Sequence, residues 1–440
     1  MNQSSKQWSH RLQTLVLSGA IATTTAFSFL GTSLSRPAEA KLQESPKTVL
    51  DEVWQIVNRD FVDGNFNQVD WQATRKELLS ENYSSRKEAY GALKKALEQL
   101  QDPYTRFMDP EQFESLKNQT SGELSGVGIR LEVSKEDKTL TVVEPLQNSP
   151  AIRAGIQADD KIVAIDGKPT TDMSVEDAAR LIRGEVGSKV VLRVSRAGKA
   201  DFDVTLTRAR IELPTVRYTF KQEKGTRVGY IRLSEFSSHA AEQMEQAIKN
   251  LNTQDVDAFI LDLRGNPGGL LQASIDISRM WLDQGLIVRT VDRKGDDEEM
   301  KATNSALTSL PLVVLVDGNS ASSSEIVTGA LKDHGRATVI GSQTFGKAMV
   351  QSVHSLSDGS GLAVTIAHYY TPKGTDISQK GISPDIEVKL TDAQRRKLAS
   401  ERKLIGTLED PQYAKAIEVL RKEVLAKPNM NSSERQAINR

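Results

Sequence analysis

Ser322 and Lys347 are the residues of this chain whose types and setting point most directly to chemistry. A serine hydroxyl is a nucleophile only when a base takes its proton. A lysine can be that base only when neutral, so its ordinary pKa of about 10.4 must fall by several units, which burial among apolar groups achieves. Phe345, Met349 and Val350 surround Lys347 in sequence and supply such a setting. Upstream, Leu312–Val316 (LVVLV) reads as a fully buried strand and DGNSA as a turn. Ile326, Ala330 and Leu331 then recur at helical spacing, with Gly335 as the stop. Ser322 therefore stands at a sharp strand-to-helix turn, where backbone amides point at an incoming oxygen.

Taken singly, a serine-rich run is a turn and a lone lysine a surface charge, so rival chemistries have to be weighed. Gly341–Lys347 fits GxxxxGK, the phosphate-cradling loop, after the strand-like RATVI. That loop needs Ser or Thr next, to hold magnesium, and a helix after it. Here Ala348 follows, and Met349–Val353 reads as a strand. The nucleotide reading fails on both counts. His10 lies in the N-terminal leader, and His239, His334, His354 and His368 fall in no recognisable triad or zinc motif. A Ser-His-Asp arrangement is not excluded by chain order, but His368 in LAVTIAHYY reads as a strand residue. The chain has no cysteine, which removes thiol catalysis, disulfides and cysteine-based metal sites.

The segments NSASSSEIVTGALKDHGRA and IGSQTFGKAMVQ resemble the active-site signature of the carboxyl-terminal processing peptidases, the tail-specific serine proteases with a Ser-Lys dyad. The likeness extends to RGNPGG (Arg264–Gly269), YIRLSEF (Tyr230–Phe236) and TPKGTDISQKGISPDIEV (Thr371–Val388), in order along nearly the whole chain. It implies Ser322 as nucleophile, Lys347 as general base, Gln351 as the glutamine that steadies the lysine, and the backbone amides of Gly268 and Ser323 as oxyanion donors. The chain departs from the pattern at three places. Ser323 replaces a customary alanine, Ala348 a common glycine and Asn319 another glycine. Ala348 would carry a cost of about 1 kcal/mol if that site needed a positive φ, whereas Asn tolerates such a backbone well.

Residues 121–210 resemble a PDZ domain. Gly126, Val127, Gly128 and Ile129 match its carboxylate-binding loop, and an extended peptide would add to the strand Ile129–Val133. Ile129, Leu131, Ala179 and Ile182 are the expected pocket walls, the last two on the helix Ser174–Arg183. The resemblance further implies that occupancy of this domain is coupled to the dyad. Arg183 is the candidate for carrying that coupling, against a plain role as a favourable charge at the helix C-terminus.

The remaining elements frame these residues. Lys6 and Arg11, an apolar run broken by Ser and Thr from Leu15 to Leu30, and Ala38-Glu39-Ala40 make residues 1–40 a secretory signal peptide cleaved after Ala40. The whole chain carries 57 basic and 58 acidic residues. Cleavage removes three basic residues and one acidic, leaving 54 against 57, a balance that speaks against nucleic-acid partners. Residues 41–120 read as helical, with Ser45-Pro46 and Ser85…Glu88 as helix starts and Val49, Leu50, Val53, Trp54 and Val57 as one apolar stripe. That stripe is ordinary core, with a dimer contact as the alternative.

From residue 211 to 390, strand and helix patterns alternate: strands Val228–Leu233, Ala258–Leu263, Leu312–Val316, Ala337–Ile340 and Leu362–Tyr370, and helices His239–Leu251, Leu270–Gln284 and Ser323–His334. Asp292–Ala306 reads as a charged loop, and 391–440 as helix followed by a loosely ordered polar end. The fold class is thus α/β plus α and β, and the resemblance implies a crotonase-like α/β protease core with an inserted PDZ domain and helical end segments. The expected activity is exported, ATP-independent serine endoproteolysis of protein substrates with free, unstructured C-terminal tails, membrane proteins among them, without cofactor or metal. The overall similarity is to photosynthetic members that mature a photosystem II subunit, so periplasm and thylakoid lumen both fit. Client and oligomeric state stay open. A peptide-binding scaffold with a dead core is the rival, and the presence of Ser322, Lys347 and Gln351 argues against it.

Overall fold

The computed structural model describes residues 45–134 and 137–426. The expected leader with its cleavage point after Ala40, and the polar end from Ser432, lie outside them. The expected alternation of strand and helix becomes a six-stranded sheet. Its order is Val216–Glu223, Thr226–Leu233, Ala258–Asp262, Leu312–Val316, Thr338–Gly341 and Ile386–Glu387. The first pair is antiparallel and the other neighbours run parallel.

Parallel strands need cover on both faces, which is why LVVLV and Ala258–Leu261 are apolar without interruption. Val314 and Val316 turn to one face, where the helices Ala240–Asn252, Leu271–Arg279 and Ser323–Asp333 bury Phe259, Leu261 and Trp281. Val313 and Leu315 turn to the other. There Tyr413, Ala416, Ile417 and Leu420 of the helix Pro411–Ala426 close it. The C-terminal region is thus a wall of the core up to Ala426. The helix expected to run to Gln284 stops at Arg279.

A second, antiparallel sheet is built around Gly361–Tyr370. This strand pairs with Met349–Ser355, Leu286–Asp292 and Arg106–Met108. The stretch expected as a charged loop is partly a hairpin arm, since Asp297–Lys301 pairs with Leu286–Asp292. Charge and strand are compatible there because the arm lies at a sheet edge, where charged side chains protect against further pairing.

The helices Pro46–Asp60, Trp71–Ser80 and Arg86–Glu98 bury Val49, Leu50, Val53, Trp54 and Val57 with Phe107, Leu362 and Val364, so the N-terminal stripe is core. Two expected caps are only partial. Ser45 gives its carbonyl, not its side chain, to Thr48. Ser85 accepts from the Glu88 amide, but Glu88 reaches back to Ser84. The segment that follows is not helix: QDPYTRFMD turns and enters the Arg106–Met108 strand.

The PDZ-like unit leaves and rejoins the chain at one place, because Glu123–Gly126 pairs antiparallel with Ala209–Glu212. Between them six strands from Ile129 to Thr207 and the helix Val175–Ile182 enclose Val127, Leu140, Ile162, Ile165 and Leu192. Among the described residues no helix is long and apolar enough to cross a membrane.

Candidate active site

Ser322 is the residue between the buried strand and its helix, and its backbone is strained. It has φ 54° and ψ −115°, a conformation that a residue with a Cβ adopts at a cost of order 1–3 kcal/mol. The helix begins one residue later, at Ser323. Its two serine neighbours are fully used: Ser323 Oγ donates to the Gly269 carbonyl at 3.1 Å and Ser324 Oγ to the Asn266 carbonyl at 3.0 Å, and both are buried. Of the three serines only Ser322 is partly exposed. The strain considered for Ala348 does not arise, since neither it nor Asn319 has a positive φ.

Lys347 lies at the end of the loop that joins Gly341 to the strand Met349–Ser355. Burial pushes its ammonium down to about 8, helped by Arg106 and opposed by Asp102 and Glu325. Nζ sits 4.7 Å from the centroid of the Tyr104 ring and makes no hydrogen bond to Ser322. The four histidines offer no rival base at this serine. His239 pairs with Glu123, His334 with the Leu286 carbonyl and His354 with Asp60, and none of the four is hydrogen-bonded to Ser322. The segment Gly341–Lys347 is followed by a strand and not a helix, so it is not a phosphate cradle.

Two residues that sequence reasoning passed over hold the serine and lysine loops together. Glu325 is buried, and each of its oxygens takes two donors. Oε1 accepts from Thr344 Oγ1 at 2.6 Å and Gly346 N at 2.7 Å, and Oε2 from Ser322 N and Lys347 N, both at 2.9 Å. Burial pushes its carboxyl up, and these hydrogen bonds pull against that. Its position was readable, because Ser322-x-x-Glu325 has the spacing of a helix-start capping box. Tyr369, whose phenol burial holds well above its ordinary value, donates toward the Ser322 carbonyl at 3.2 Å and to the Lys347 carbonyl.

The expected oxyanion donors lie side by side but are not both free. Ser323 N is at the first helical position, where an amide has no acceptor within its own helix. A Cβ on Gly268 would come within 2.9 Å of Ser322 Cβ and 3.1 Å of Ser323 N, so glycine is required there. Its own amide, however, donates to Asn266 Oδ1 at 2.9 Å. A short side-chain turn formed by Asn266 takes up the donor expected to face the substrate, a competition invisible in RGNPGG itself. Gln351 is in the neighbouring strand, opposite Thr365, and its buried side-chain nitrogen has no hydrogen-bond partner. It makes no hydrogen bond to Lys347 in this arrangement.

In the PDZ-like unit, Gly128 has φ +77° and a Cβ there would run into Ser149. Gly126 ends the Glu123–Gly126 strand, and Val127 is fully buried. The helix Val175–Ile182 packs along the strand Ile129–Val133, with Ile129, Leu131 and Ala179 partly exposed. Ile182 lies deeper than the other three expected pocket residues. It is 5% exposed and belongs to the unit's core. Arg183 is exposed, and its side chain makes no hydrogen bond or ion pair. The helix end is held instead by the buried Arg208, which donates to the carbonyls of Leu181, Ile182 and Lys189.

With this geometry in place, comparison with known proteins is informative. Residues 227–388 match peptidase family S41 and residues 141–196 match a PDZ domain. The chain is 47% identical over 339 residues to the carboxyl-terminal-processing protease of Picosynechococcus, covering 77% of this chain and 82% of that protein. It is 40% identical over 346 residues to carboxyl-terminal-processing peptidase 2, chloroplastic, of Arabidopsis thaliana, covering 76% and 67%. Among solved structures it is similar to a photosystem II D1 C-terminal processing protease, with 34% identity, a TM-score of 0.53, and coverage of 84% of this chain and 99% of that one.

Proposed function

The chain belongs to peptidase family S41, among the carboxyl-terminal-processing proteases with a PDZ domain, and from that premise we propose that Ser322 and Lys347 are its catalytic dyad. Neutral Lys347 takes the Ser322 proton as Oγ attacks the scissile carbonyl. The resulting ammonium then gives that proton to the leaving amine. A water molecule attacks the acyl-enzyme in the second half and is deprotonated by the same lysine. The Ser323 amide, joined by Gly268 once its N–H turns away from Asn266, stabilises the oxyanion; losing one such donor typically costs about 3–4 kcal/mol. Gln351 steadies the lysine once Nζ has moved off Tyr104 toward Ser322.

The observation that carries this reading is the pairing of a strained, part-exposed serine with a lysine brought down to about 8 by burial, on loops joined by Glu325. The loop at Gly126–Ile129 captures the carboxylate of a substrate tail, and Ile129, Leu131 and Ala179 contact its last side chains. The central sheet and its helices are read as a crotonase-like core. The leader supports export, and the cyanobacterial and chloroplastic relatives support a periplasmic or thylakoid-lumen site of action on protein tails, those of membrane proteins included. Hydrolysis in this site needs no ATP.

The test is a tail peptide with a free C-terminus, compared with its amidated twin. The wild-type protein is expected to cut the free form much faster, because charge-assisted hydrogen bonds to a carboxylate are not replaced by an amide. Ser322→Ala and Lys347→Arg are both expected to be inactive while folded, since arginine stays protonated and cannot accept the proton. Ser323→Ala should keep most activity. A working Lys347→Arg enzyme would remove the dyad.

A further inference from the structure

The surroundings of Lys347 include a segment that neither family match covers. The turn Asp102–Arg106 lies far upstream of residues 227–388, yet it forms one wall around the lysine's side chain. Its conformation is over-determined. Asp102 Oδ1 accepts from Tyr104 N at 3.0 Å and Asp102 Oδ2 from Thr105 Oγ1 at 2.7 Å. Thr105 Oγ1 in turn accepts from Thr365 N at 3.0 Å, and Arg106–Met108 pairs with Gly361–Ala363. Both fastenings are to the strand that carries Tyr369 and faces Gln351. The Tyr104 ring is thereby fixed beneath Lys347 Nζ, 4.7 Å from it, well inside the range of about 6 Å in which a ring face attracts a cation. No hydrogen bond to another side chain competes for Nζ.

We propose that Tyr104 is a positioning residue of the active site, which holds the Lys347 ammonium on its ring face and releases the neutral amine toward Ser322. This rests on the assignment of Lys347 as the base. The physical basis is that a ring quadrupole attracts the ammonium and has little hold on the amine. Deprotonation therefore creates the base and frees it in the same event. The other groups that bear on the lysine's charge are Arg106 and Asp102 from the same turn and Glu325 from the start of the Ser323–Asp333 helix. Tyr369, from the Gly361–Tyr370 strand, contributes a neutral phenol. The Tyr104 hydroxyl has no assigned part, and burial pushes its phenol up, so it stays protonated.

The prediction is read by titrating Lys347 directly. In full-length Ser322→Ala protein with 13Cε-labelled lysine, the Lys347 signal is assigned by its loss in Lys347→Arg. Tyr104→Phe is expected to leave the titration midpoint in place. Tyr104→Leu should move it down by about half a unit to one and a half units, the worth of a partly desolvated cation–π contact. Should the leucine variant misfold, fluorinated phenylalanines at position 104 keep the shape while weakening the quadrupole, and the midpoint should fall stepwise with fluorine count. The same substitutions in the Ser322 enzyme should move the acid limb of the rate profile by the same amount. A midpoint that stays or rises in the leucine and fluorinated series overturns the proposal, as does a loss in Tyr104→Phe equal to that in leucine. A midpoint that moves while the rate profile does not would instead sink the role of Lys347 as base, leaving the contact intact.

Discussion

Glu325 shows how much of this site rests on one side chain. Each carboxylate oxygen accepts two donors, one pair from the Thr344–Gly346 turn and the other from the amides of Ser322 and Lys347. Glutamine can offer only one oxygen, and its NH2 group would face two donors. Glu325→Gln is therefore expected to be nearly as damaging as Glu325→Ala, lowering kcat by about 100-fold through misplacement of the two loops. The check is single-turnover cleavage with the fold verified by circular dichroism. Lys347 makes a complementary prediction for stability. Its folded pKa of about 8 lies below its ordinary 10.5, so the unfolded chain binds the proton more tightly between those values. This group's contribution to stability then rises with pH across that window. Lys347→Met should be more stable than wild type at pH 7, by about 1–3 kcal/mol, with the advantage shrinking toward pH 10 in urea melts.

At the scale of elements, the proposed catalytic geometry is a meeting of turns at the ends of parallel strands. The Leu312–Val316 strand delivers Ser322, the Ala258–Asp262 strand delivers the Gly268 turn, and the Thr338–Gly341 strand leads into the Lys347 loop. The Gly268 turn has no slack. With φ +106° and Ala321 O only 2.8 Å from where a Cβ would stand, Gly268→Ala is expected to push the turn away from Ser322. Activity should fall by at least the roughly 100-fold typical of a lost oxyanion donor, with substrate affinity little changed. A Gly265→Ala control, where a Cβ meets nothing within 4 Å, strains only the backbone. Equal loss in both would show that backbone strain, and not contact with Ser322, sets the effect.

For the whole molecule, the C-terminal region is fastened to the turn that carries Gly268. Arg264, at its start, is buried between Asp262 and Asp410 and also donates to Gln412 at 2.9 Å. Asp262 in turn accepts from Tyr230 at 2.6 Å. Asp410→Ala takes two acceptors from the buried guanidinium while Asp262 still balances its charge, so it is expected to cost about 1–3 kcal/mol in denaturant unfolding. The N-terminal helices are joined to the same core through the strand Gly361–Tyr370, by way of Phe107, Leu362 and Val364. The PDZ-like unit is attached differently, through the paired strands Glu123–Gly126 and Ala209–Glu212. Its core, around Val127, Ile162 and Leu192, is separate from those of the protease region.

What the chain's own pattern determined was local. LVVLV followed by DGNSA and a helical period specifies a strand, a turn and a helix, because burial on two faces and 3.6-residue spacing are written in neighbouring residues. The order of such segments was enough to place Ser322 at an elbow and Lys347 in a loop; the family came from the resemblance of the motifs around them. Hydrophobic pattern could not reveal the hairpin arm Asp297–Lys301, since an edge strand has no apolar run to show. Tertiary structure alone decided which polar groups meet. Tyr104 reaches Lys347 only because a short strand pairs with residues 361–363, and Arg208, not Arg183, holds the helix end because the return strand brings it there. Whether the Gly268 amide faces a substrate or Asn266 is likewise set by the turn's dihedrals, not by its residue types. Periodicity records which face of an element is buried, whereas hydrogen-bond partners depend on register and packing between segments far apart in the chain.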